Sequence, residues 1–253
     1  MTAPLIATFG GGTDSTAMLL GMADRGVRPE AIVFADTGSE QRHTYAHLGV
    51  MQAWCERVGF PRITVVKQTD LQGEQASLET QCLKNRTLPS LAYGFKGCSL
   101  KMKRRPSDNW VAQQQFAIDA WDGGLKVVKA IGFEAGEERR AKIEDHKRYE
   151  YVYPLIEWGW DRDDCIARIA QEGLQQPGKS SCFFCPSMKR PEIIQLHRND
   201  PELFWRAIAM EDNAQENLGS VRGLGRYFAW RDMAGGTGPQ LFASVELACE
   251  CGS

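Results

Sequence analysis

The stretch Phe9-Gly10-Gly11-Gly12-Thr13-Asp14-Ser15-Thr16 lies between an apolar run, residues 4–8, and a helical run, residues 17–22. A strand, a glycine turn and a helix in this order bring backbone N–H groups together around an anion. The glycines leave the main chain open, and the helix adds the positive end of its dipole. Asp14, Ser15 and Thr16 can cap the helix, or the two hydroxyls can turn to the anion. We therefore predict a phosphate-binding loop; the alternative is a glycine turn that only joins the strand to the helix.

Two common phosphate-binding loops are excluded by this stretch. The P-loop of the large NTPase class needs Gly-x-x-x-x-Gly-Lys-Ser/Thr, and no lysine occurs before Lys67. A dinucleotide-binding loop needs Gly-x-Gly-x-x-Gly, and Ser15 stands where the last glycine belongs. The remaining pattern resembles the PP-loop, Ser-Gly-Gly-x-Asp-Ser, of the adenine nucleotide alpha-hydrolase superfamily. Gly10 occupies the place of the usual serine, and Thr13 the place where many members have lysine.

Composition narrows the class of protein. Of the 253 residues, 43% are hydrophobic and 25% charged, which is typical of a globular protein with one core and at most a small appended region. The formal net charge of −2 gives no overall attraction to nucleic acid, so such binding needs a local patch. The sequence has no apolar run long enough to span a bilayer and no signal peptide. We expect a cytoplasmic protein without a membrane partner.

Continuous apolar runs predict buried parallel strands, separated by helical segments. The predicted strands are residues 4–8, 31–35, 63–66 and 126–133, and the predicted helices include 45–58, 110–120 and 161–172. This order indicates an α/β fold with a doubly wound, mostly parallel sheet and a ligand crevice at the carboxyl ends of its strands. We predict a nucleotide-binding domain at residues 1–180 and a smaller, mainly helical, cysteine-containing region at residues 181–253. Residues 68–97 lack periodicity and are predicted to be a long functional loop.

Two charged segments are candidate anion sites. Arg139 or Arg140, after the last predicted strand, can hold a phosphate, with Glu137 orienting the guanidinium; a surface ion pair is the alternative. A second segment is basic around Cys98, and positive charge stabilises a thiolate and attracts phosphates. A solvated basic helix start is the alternative there. The predicted nucleic-acid or phosphate patch consists of Lys96, Lys101, Lys103, Arg104 and Arg105.

Eight cysteines in a reducing compartment indicate metal or redox chemistry wherever they cluster. Cys182 and Cys185 form a Cys-x-x-Cys pair among apolar neighbours that would shield a metal, whereas Cys55 and Cys165 are predicted to lie in the core. Two ligand sets compete. One is a zinc site formed by Cys182, Cys185, Cys249 and Cys251. The other is an iron–sulfur cluster, 4Fe–4S, on Cys98, Cys182 and Cys185, whose fourth iron is bound by Cys82, Cys249, Cys251 or no protein ligand.

Taken together, these motifs resemble the phosphoadenosine phosphosulfate (PAPS) reductase family, including its relatives in DNA phosphorothioation. The resemblance covers residues 5–190 in family order. Its matches are the PP-loop at residues 10–15, Asp36-Thr37-Gly38 with Thr44-Tyr45, Gly97-Cys98 with Lys101 and Lys103, Gly132-Phe133 with Glu138-Arg139, residues 154–158, and the pair Cys182 and Cys185.

The resemblance implies an ATP pyrophosphatase, an adenylating component of a sulfur-transfer system of the DNA phosphorothioation or tRNA thiolation kind. ATP, Mg²⁺, a cysteine desulfurase or other sulfur donor, and a nucleic acid acceptor are the implied partners. The implied nucleotide-binding residues are Phe9, Gly10, Gly11, Gly12, Thr13, Asp14, Ser15, Thr16, Ala35, Asp36, Thr37, Gly38, Gly132, Glu137 and Arg139. The implied catalytic residues are Asp14, Ser15, Asp36, Arg139 and Cys251.

Two other functions remain open from the sequence. In a sulfonucleotide reductase, Cys251 would attack the sulfur of PAPS or adenylyl sulfate, and a thioredoxin-like reductant would resolve the product. Cluster-bearing reductases have Cys-Cys where this chain has Gly97-Cys98, and their C-terminal Glu-Cys-Gly motif is followed by a small residue and a histidine. Here Cys251 and Gly252 are followed by Ser253. The third hypothesis is that the protein is a nucleotide-binding regulatory module with a structural zinc.

Overall fold

The structure, a computed structural model, describes residues 2–70, 73–141 and 146–235. The chain divides into two compact units. The first contains Met1–Gln75 and Lys101–Ser181, and the second contains Ala76–Leu100 together with the chain from Cys182 onward. The sequence-based division at residue 180 assigned the segment Ala76–Leu100 to the nucleotide-binding domain instead.

The first unit is built on a five-stranded parallel sheet, which confirms the predicted α/β fold. Its strands lie in the order β3-β2-β1-β4-β5, and every neighbouring pair is parallel. The strands are β1 (Leu5–Phe9), β2 (Ala31–Asp36), β3 (Ile63–Lys67), β4 (Val127–Ile131) and β5 (Tyr149–Val152). The first four coincide with the continuous apolar runs of the sequence. β5, with the sequence Tyr-Glu-Tyr-Val at the edge of the sheet, has no such run and was not predicted.

Helices cover both faces of this sheet. The helices of the first unit are α1 (Thr13–Asp24), α2 (Arg42–Val58), α5 (Arg105–Val111), α6 (Gln115–Asp122), α7 (Pro154–Glu157) and α8 (Arg162–Gln171). On one face, Phe9 and Phe34 pack with fully buried residues of α1, α2 and α8, including Met18 and Trp54. On the other face, Ile6 and its strand neighbours pack against α5 and α6. Cys55 and Cys165 are fully buried in the first of these clusters, as predicted.

The predicted helix at residues 110–120 is wrong, because the chain forms two helices there. Gln114 has an extended backbone, with φ of −86° and ψ of 134°, and α6 begins at the next residue. The break turns the chain so that Ala117 and Ala120 become buried against the sheet. Periodicity alone did not reveal this break, since it involves no proline or glycine.

The order of the strands places a topological switch point between β1 and β4. From β1 the chain continues through α1 to β2 on one side, whereas β4 pairs with β1 on the other side. In open α/β sheets, ligands bind outside the carboxyl ends of the strands at such a point. The glycine loop follows β1 directly. The fold therefore puts the predicted phosphate loop at the preferred ligand position.

The second unit is helical in its described part. Its helices are α3 (Leu78–Asn85), α4 (Gly97–Ser99), α9 (Arg190–Asn199), α10 (Pro201–Asn213) and α11 (Trp230–Gly235), with a 3-10 turn at Gln215–Asn217. A π-helical turn, Leu100–Arg104, contains the boundary between the two units. Three phenylalanines of this unit are at most 1% exposed: Phe183, Phe184 and Phe204. The rings of Phe183 and Phe184 meet edge to face.

The prediction of a long loop at residues 68–97 is wrong in its middle, where α3 forms. Ser77 caps this helix by accepting the N–H of Thr80, and Arg86 ends it in the left-handed conformation. The Arg206 guanidinium of α10 binds both carboxylate oxygens of Glu79 at 3.0 and 2.5 Å. Tertiary contacts with α10 therefore stabilise a helix too short to form alone.

Within the residues that the structure describes, we find no helix with the length and apolar character needed to cross a membrane.

Candidate nucleotide-binding site

The glycine loop has the conformation of an anion cradle. Gly11 has a φ of +76°, and Gly12 is the extended residue that precedes α1. A Cβ at Gly11 would lie 2.9 Å from Cγ2 of Thr44, so both the dihedral angle and the space require glycine. No side chain caps this end of α1 in the described chain, and the first N–H groups of a helix have no intrahelical acceptor. They are oriented to bind an anion.

Hydroxyl groups of α1 hold the loop from the helix side. Thr16 is fully buried, and its Oγ1 donates to the Gly12 carbonyl at 2.9 Å. Ser15 Oγ donates to the same carbonyl at 3.1 Å. His47 Nε2 lies 2.9 Å from Thr16 Oγ1, and because the threonine proton is used on Gly12, the imidazole is the donor. Burial, and to a lesser extent the neighbouring His43, lowers the pKa of His47, so its ring is neutral at pH 7.

A second segment, residues 176–181, contacts the glycine loop and was missed from the sequence. Ser180 Oγ donates to the Gly10 carbonyl, and Gln176 Nε2 donates to Thr13 Oγ1 at 2.7 Å. The same segment is attached to the start of α2, where the Gln41 N–H donates to the Ser181 carbonyl at 3.2 Å. Its serine and glutamine side chains have no motif spacing, so only the fold reveals this role.

The carboxyl end of β2 is organised around Asp36, which is 4% exposed. Its Oδ1 accepts the Gly38 N–H and the Tyr45 hydroxyl, each at 2.7 Å, and its Oδ2 lies 3.3 Å from Lys67 Nζ. Burial and the Asp36 carboxylate raise the pKa of Tyr45. Both oxygens of Asp36 are thus used inside the protein, and this arrangement shapes the loop at residues 36–40. The catalytic assignment of Asp36 stays a prediction.

The same loop contains a buried carboxylate that the sequence did not single out. The Glu40 side chain has no exposed area, and its Oε1 accepts from Lys103 Nζ at 2.8 Å and from Thr37 Oγ1 at 3.2 Å. Its Oε2 has no hydrogen-bond partner among the described residues. Glu40 therefore fastens the loop after β2 to the π-helical turn that carries Lys103.

Across the switch point, the turn after β4 lies against the start of α1. A Cβ at Gly132 would lie 3.0 Å from backbone atoms of Asp14 and Ser15, so glycine permits this approach. Arg162 Nη1 binds Asp14 Oδ1 at 2.5 Å and lies 3.7 Å from Glu134 Oε2. Glu137 also acts on Asp14 electrostatically. The fold thus places Gly132, Asp14 and Glu137 near one another, and Arg162 and Glu134 join them.

The carboxyl groups of Asp14, Glu134 and Glu137 disfavour one another's ionisation. Burial is the main cause that raises the pKa of Asp14, with a contribution from Glu137 and an opposing one from Arg162. Burial and the Asp14 charge raise the pKa of Glu134, which shares a hydrogen bond with Asp14. The Oε2 atoms of Glu134 and Glu137 are buried, and neither makes a hydrogen bond in the described chain. These are hard oxygen donors near the start of α1, which follows the glycine loop.

The two candidate arginines of this turn differ. Arg140 binds Glu137 at 2.5 Å, three residues earlier in the chain, and lies over the Phe133 ring at 4.3 Å. This is the surface ion pair that the sequence left as the alternative. Arg139 is exposed, and no carboxylate pairs with it in the described part of the chain. Arg139 is therefore the guanidinium still available to a ligand.

The remaining predicted nucleotide-binding residues line the ends of β1 and β2. Phe9 is buried and packs on Phe34, Ala35 is half-buried, and Gly38 is exposed with a φ of +68°. These positions give a ligand access at Gly38 but not at Phe9.

The predicted basic patch is partly used inside the protein. Lys103 binds Glu40, and Arg104 lies 3.6 Å from Asp108 Oδ2 and 3.3 Å from the Tyr151 hydroxyl. Lys101 and Arg105 are exposed in the first unit, and Lys96 is exposed in the second. As a nucleic-acid or phosphate patch, this set stays a prediction.

The cysteine ligand sets are not assembled in the described residues. Cys82, Cys98, Cys182 and Cys185 all belong to the second unit, but no three His, Cys, Asp or Glu side chains in the described ranges could hold a metal ion. Cys182 is buried, Cys185 Sγ lies 3.1 Å from Ser187 Oγ, and Phe183 and Phe184 are core residues of the unit. Cys249 and Cys251 lie outside the described residues. The cluster, the zinc site and the catalytic role of Cys251 therefore stay predictions.

Comparisons with known proteins add little to this geometry. No protein-family model and no curated protein matches the chain. Among solved structures, the chain is similar to the U34-tRNA thiolase NcsA from Methanococcus maripaludis, solved with its 4Fe–4S cluster. The identity is 13%, the TM-score is 0.45, and the match covers 90% of this chain and 77% of that one. A likeness of this size carries no argument about activity, and the fold assignment rests on the sheet itself.

Proposed function

We propose that the first unit binds ATP and that the protein is an ATP pyrophosphatase, the adenylating component of a sulfur-transfer system. One observation carries the proposal: the glycine loop lies at the topological switch point between β1 and β4, with open helix N–H groups. The phosphates would lie on residues 10–15 and the adenine beside residues 33–35. The sulfur-transfer context is supported by the motif order in the sequence.

The chain's own residues provide orientation and charge. Backbone N–H groups of the loop would bind the phosphates, and Arg139 would neutralise charge that develops on the pyrophosphate leaving group. Thr16 keeps the Gly12 carbonyl turned away from the ligand by donating a hydrogen bond to it, and His47 holds Thr16 Oγ1 in place. An acceptor oxygen would attack the α-phosphorus, the bond to the bridging oxygen would break, and pyrophosphate would leave.

Magnesium fits the donor set of this site, although the described residues offer no three-ligand cage. Mg²⁺ is held by one or two carboxylates together with substrate phosphates, and Glu134 and Glu137 have buried oxygens without hydrogen bonds in the described chain. Glu134 and Glu137 are the residues that would hold it. Mg²⁺ would neutralise phosphate charge. Since the described cysteines do not form a cluster site, no step is assigned to iron–sulfur chemistry.

The proposal is tested by identifying the products of ATP turnover. The protein is incubated with ATP labelled in the α-phosphate, Mg²⁺ and candidate acceptor RNA or DNA, and products are separated by thin-layer chromatography. Release of pyrophosphate with transfer of labelled AMP, or formation of AMP, supports the proposal. Release of ADP and orthophosphate contradicts it. The Arg139→Ala variant should lose turnover, whereas Arg140→Ala, the matched control, should retain it.

A further inference from the structure

A buried carboxylate shapes a surface loop of the second unit. Glu211 on α10 has no exposed area. Its Oε2 accepts the N–H groups of Leu224 and Trp230 at 2.7 and 3.0 Å, and its Oε1 accepts that of Arg231 at 2.9 Å. A Cβ at Gly223 would lie 2.3 Å from Glu211 Oε2, so the chain follows the carboxylate closely. Three donors on one buried carboxylate fix the loop in a single conformation.

This loop holds Arg226 in an uncommon backbone conformation. Arg226 has a φ of +66°, in the left-handed region that L-residues other than Asn and Asp seldom adopt. Its N–H donates to the Gly223 carbonyl at 2.9 Å, and its carbonyl accepts the Arg222 N–H at 2.9 Å. Such strain persists where the surrounding structure imposes it, and it occurs most often at functional sites.

The strained turn presents a guanidinium beside the exposed ring of Tyr227, next to the segment that carries Phe95. Tyr227 is 76% exposed and Phe95 59% exposed. The Arg226 guanidinium carbon lies 5.3 Å from the Tyr227 ring centroid. A Cβ at Gly94, next to Phe95 in the chain, would lie 2.6 Å from Arg226 Nη2, so the two segments are neighbours. We call Phe95, Arg222, Arg226 and Tyr227 the Arg226 surface.

Arg222 and Arg226 give the Arg226 surface its positive charge. In the described ranges no carboxylate pairs with Arg222 or Arg226. Elsewhere in the same unit the arginines bind acids: the pairs are Arg206 with Glu79, Arg86 with Glu216, and Arg231 with Asp212. The surface therefore combines unpaired guanidinium groups with ring faces open to solvent.

We propose that the Arg226 surface binds a single-stranded segment of nucleic acid. The Tyr227 and Phe95 rings stack on bases, and Arg226 and Arg222 bind the flanking phosphates. Ring stacking accepts any base, whereas a duplex hides its base faces. The inference rests on the proposed function in one respect. There, the bound single strand would be the acceptor of the adenylation step. Charge complementarity favours nucleic acid over a protein partner, because the arginines of this surface pair with no carboxylate of the described ranges and one of them lies over the Tyr227 ring.

The test is fluorescence anisotropy of the full chain with labelled 12-nucleotide RNA and DNA single strands and the matching duplexes, from 50 to 200 mM salt. The wild type should bind single strands more tightly than duplexes. Tyr227→Ala should weaken binding about 10-fold, while Tyr227→Phe, which keeps the ring, should not. Arg226→Gln should weaken binding and reduce the slope of log affinity against log salt by about one phosphate contact. Trp205→Ala, at another exposed aromatic, is the control and should bind as the wild type does.

The outcomes separate this inference from the proposed function. ATP titrations on the same variants should match the wild type, because none of these residues lies in the first unit. Loss of oligonucleotide binding in Tyr227→Ala with ATP binding intact supports the inference. Equal affinity of Tyr227→Ala and the wild type overturns it, as does a wild type that binds ATP but no single strand. A wild type that binds single strands through Tyr227 but not ATP overturns the proposed function and leaves the inference standing.

Discussion

The glycine loop of the first unit and the cysteine segment of the second unit differ in how much of their proposed chemistry is already in place. In the glycine loop, Gly11 has the required dihedral angle, and Thr16, His47 and Ser180 fix the surrounding backbone. In the cysteine segment, no three potential ligands of the described chain come together. The proposed phosphate site needs only the backbone of one loop, whereas a thiolate site depends on where several distant side chains meet.

The largest expected effect comes from breaking the glycine loop itself. In Gly11→Ala, a methyl group meets Thr44, and an alanine at a φ of +76° costs about 1–2 kcal/mol. We expect ATP affinity to fall at least about 10-fold, the change that about 1.4 kcal/mol produces. Isothermal titration calorimetry measures it.

The matched control for this variant is Gly26→Ala. Gly26 has a φ of +65° but no atom within 4 Å of a Cβ, so the variant carries the same backbone strain away from the site. It should lose the part of the thermal stability that the backbone strain costs, and it should bind ATP normally. Equal loss of ATP affinity in both variants would mean that the loop geometry is not what binds the nucleotide.

A smaller effect is expected from the imidazole that supports the loop. His47→Ala removes a buried hydrogen bond to Thr16, which should lower the free energy of unfolding by about 1–3 kcal/mol. ATP affinity should fall only about 3-fold, since Thr16 still binds the Gly12 carbonyl. Urea unfolding and calorimetry measure the two effects.

The same substitution also changes the pH dependence of stability. Burial lowers the pKa of His47 in the folded protein, so the unfolded chain takes up the proton first as the pH falls below about 6.5. The wild type should therefore lose stability in that range. His47→Ala should lose less over the same range, and an unchanged pH profile would argue against a buried neutral imidazole.

A still smaller effect, of opposite sign, is expected at the carboxylates after β4. The pKa of Glu134 is raised in the folded state, so its ionisation destabilises the protein above the unfolded pKa, and this cost disappears as the pH falls. Glu134→Gln should raise the free energy of unfolding at pH 7 by about 0.5 kcal/mol, and should show no gain near pH 4. Thermal melts at both pH values measure this.

Glu138→Gln is the matched control for the carboxylate test. The Gly136 N–H lowers the pKa of Glu138, so the substitution should not stabilise the protein at neutral pH. Mg²⁺ should raise the melting temperature of the wild type in the presence of ATP more than that of Glu134→Gln. Equal Mg²⁺ effects in the two proteins would remove Glu134 from the proposed ligands.

The smallest effect on ATP binding is expected from metal removal. Dialysis against a chelator, followed by return of Mg²⁺, should leave ATP affinity unchanged within about 2-fold, because the glycine loop uses no cysteine. Iron content and activity of anaerobically purified Cys98→Ser are measured in parallel. Joint loss of iron and activity would support the predicted cluster, and unchanged iron would exclude Cys98 as an essential ligand.

The sequence predicted the features that depend on local pattern. The apolar runs located β1 to β4, because a parallel strand buried on both faces needs apolar residues throughout. The glycines located the loop, because a positive φ favours glycine. It did not predict β5, the break at Gln114, or helix α3, which depend on tertiary contacts such as that between Arg206 and Glu79. Gln176, Ser180 and Glu40 were missed for the same reason, since polar side chains gain a role only from what the fold brings near them.

The measurement that tests the central claim most directly is a calorimetric titration of anaerobically purified wild-type protein with ATP and Mg²⁺, and separately with PAPS. We expect ATP to bind, at least about 10-fold more weakly to Gly11→Ala and normally to Gly26→Ala. Binding of the sulfonucleotide in preference to ATP would contradict the proposed ATP pyrophosphatase and make Cys251 the next residue to substitute. Absence of binding by either nucleotide would contradict the assignment of the glycine loop as a phosphate site.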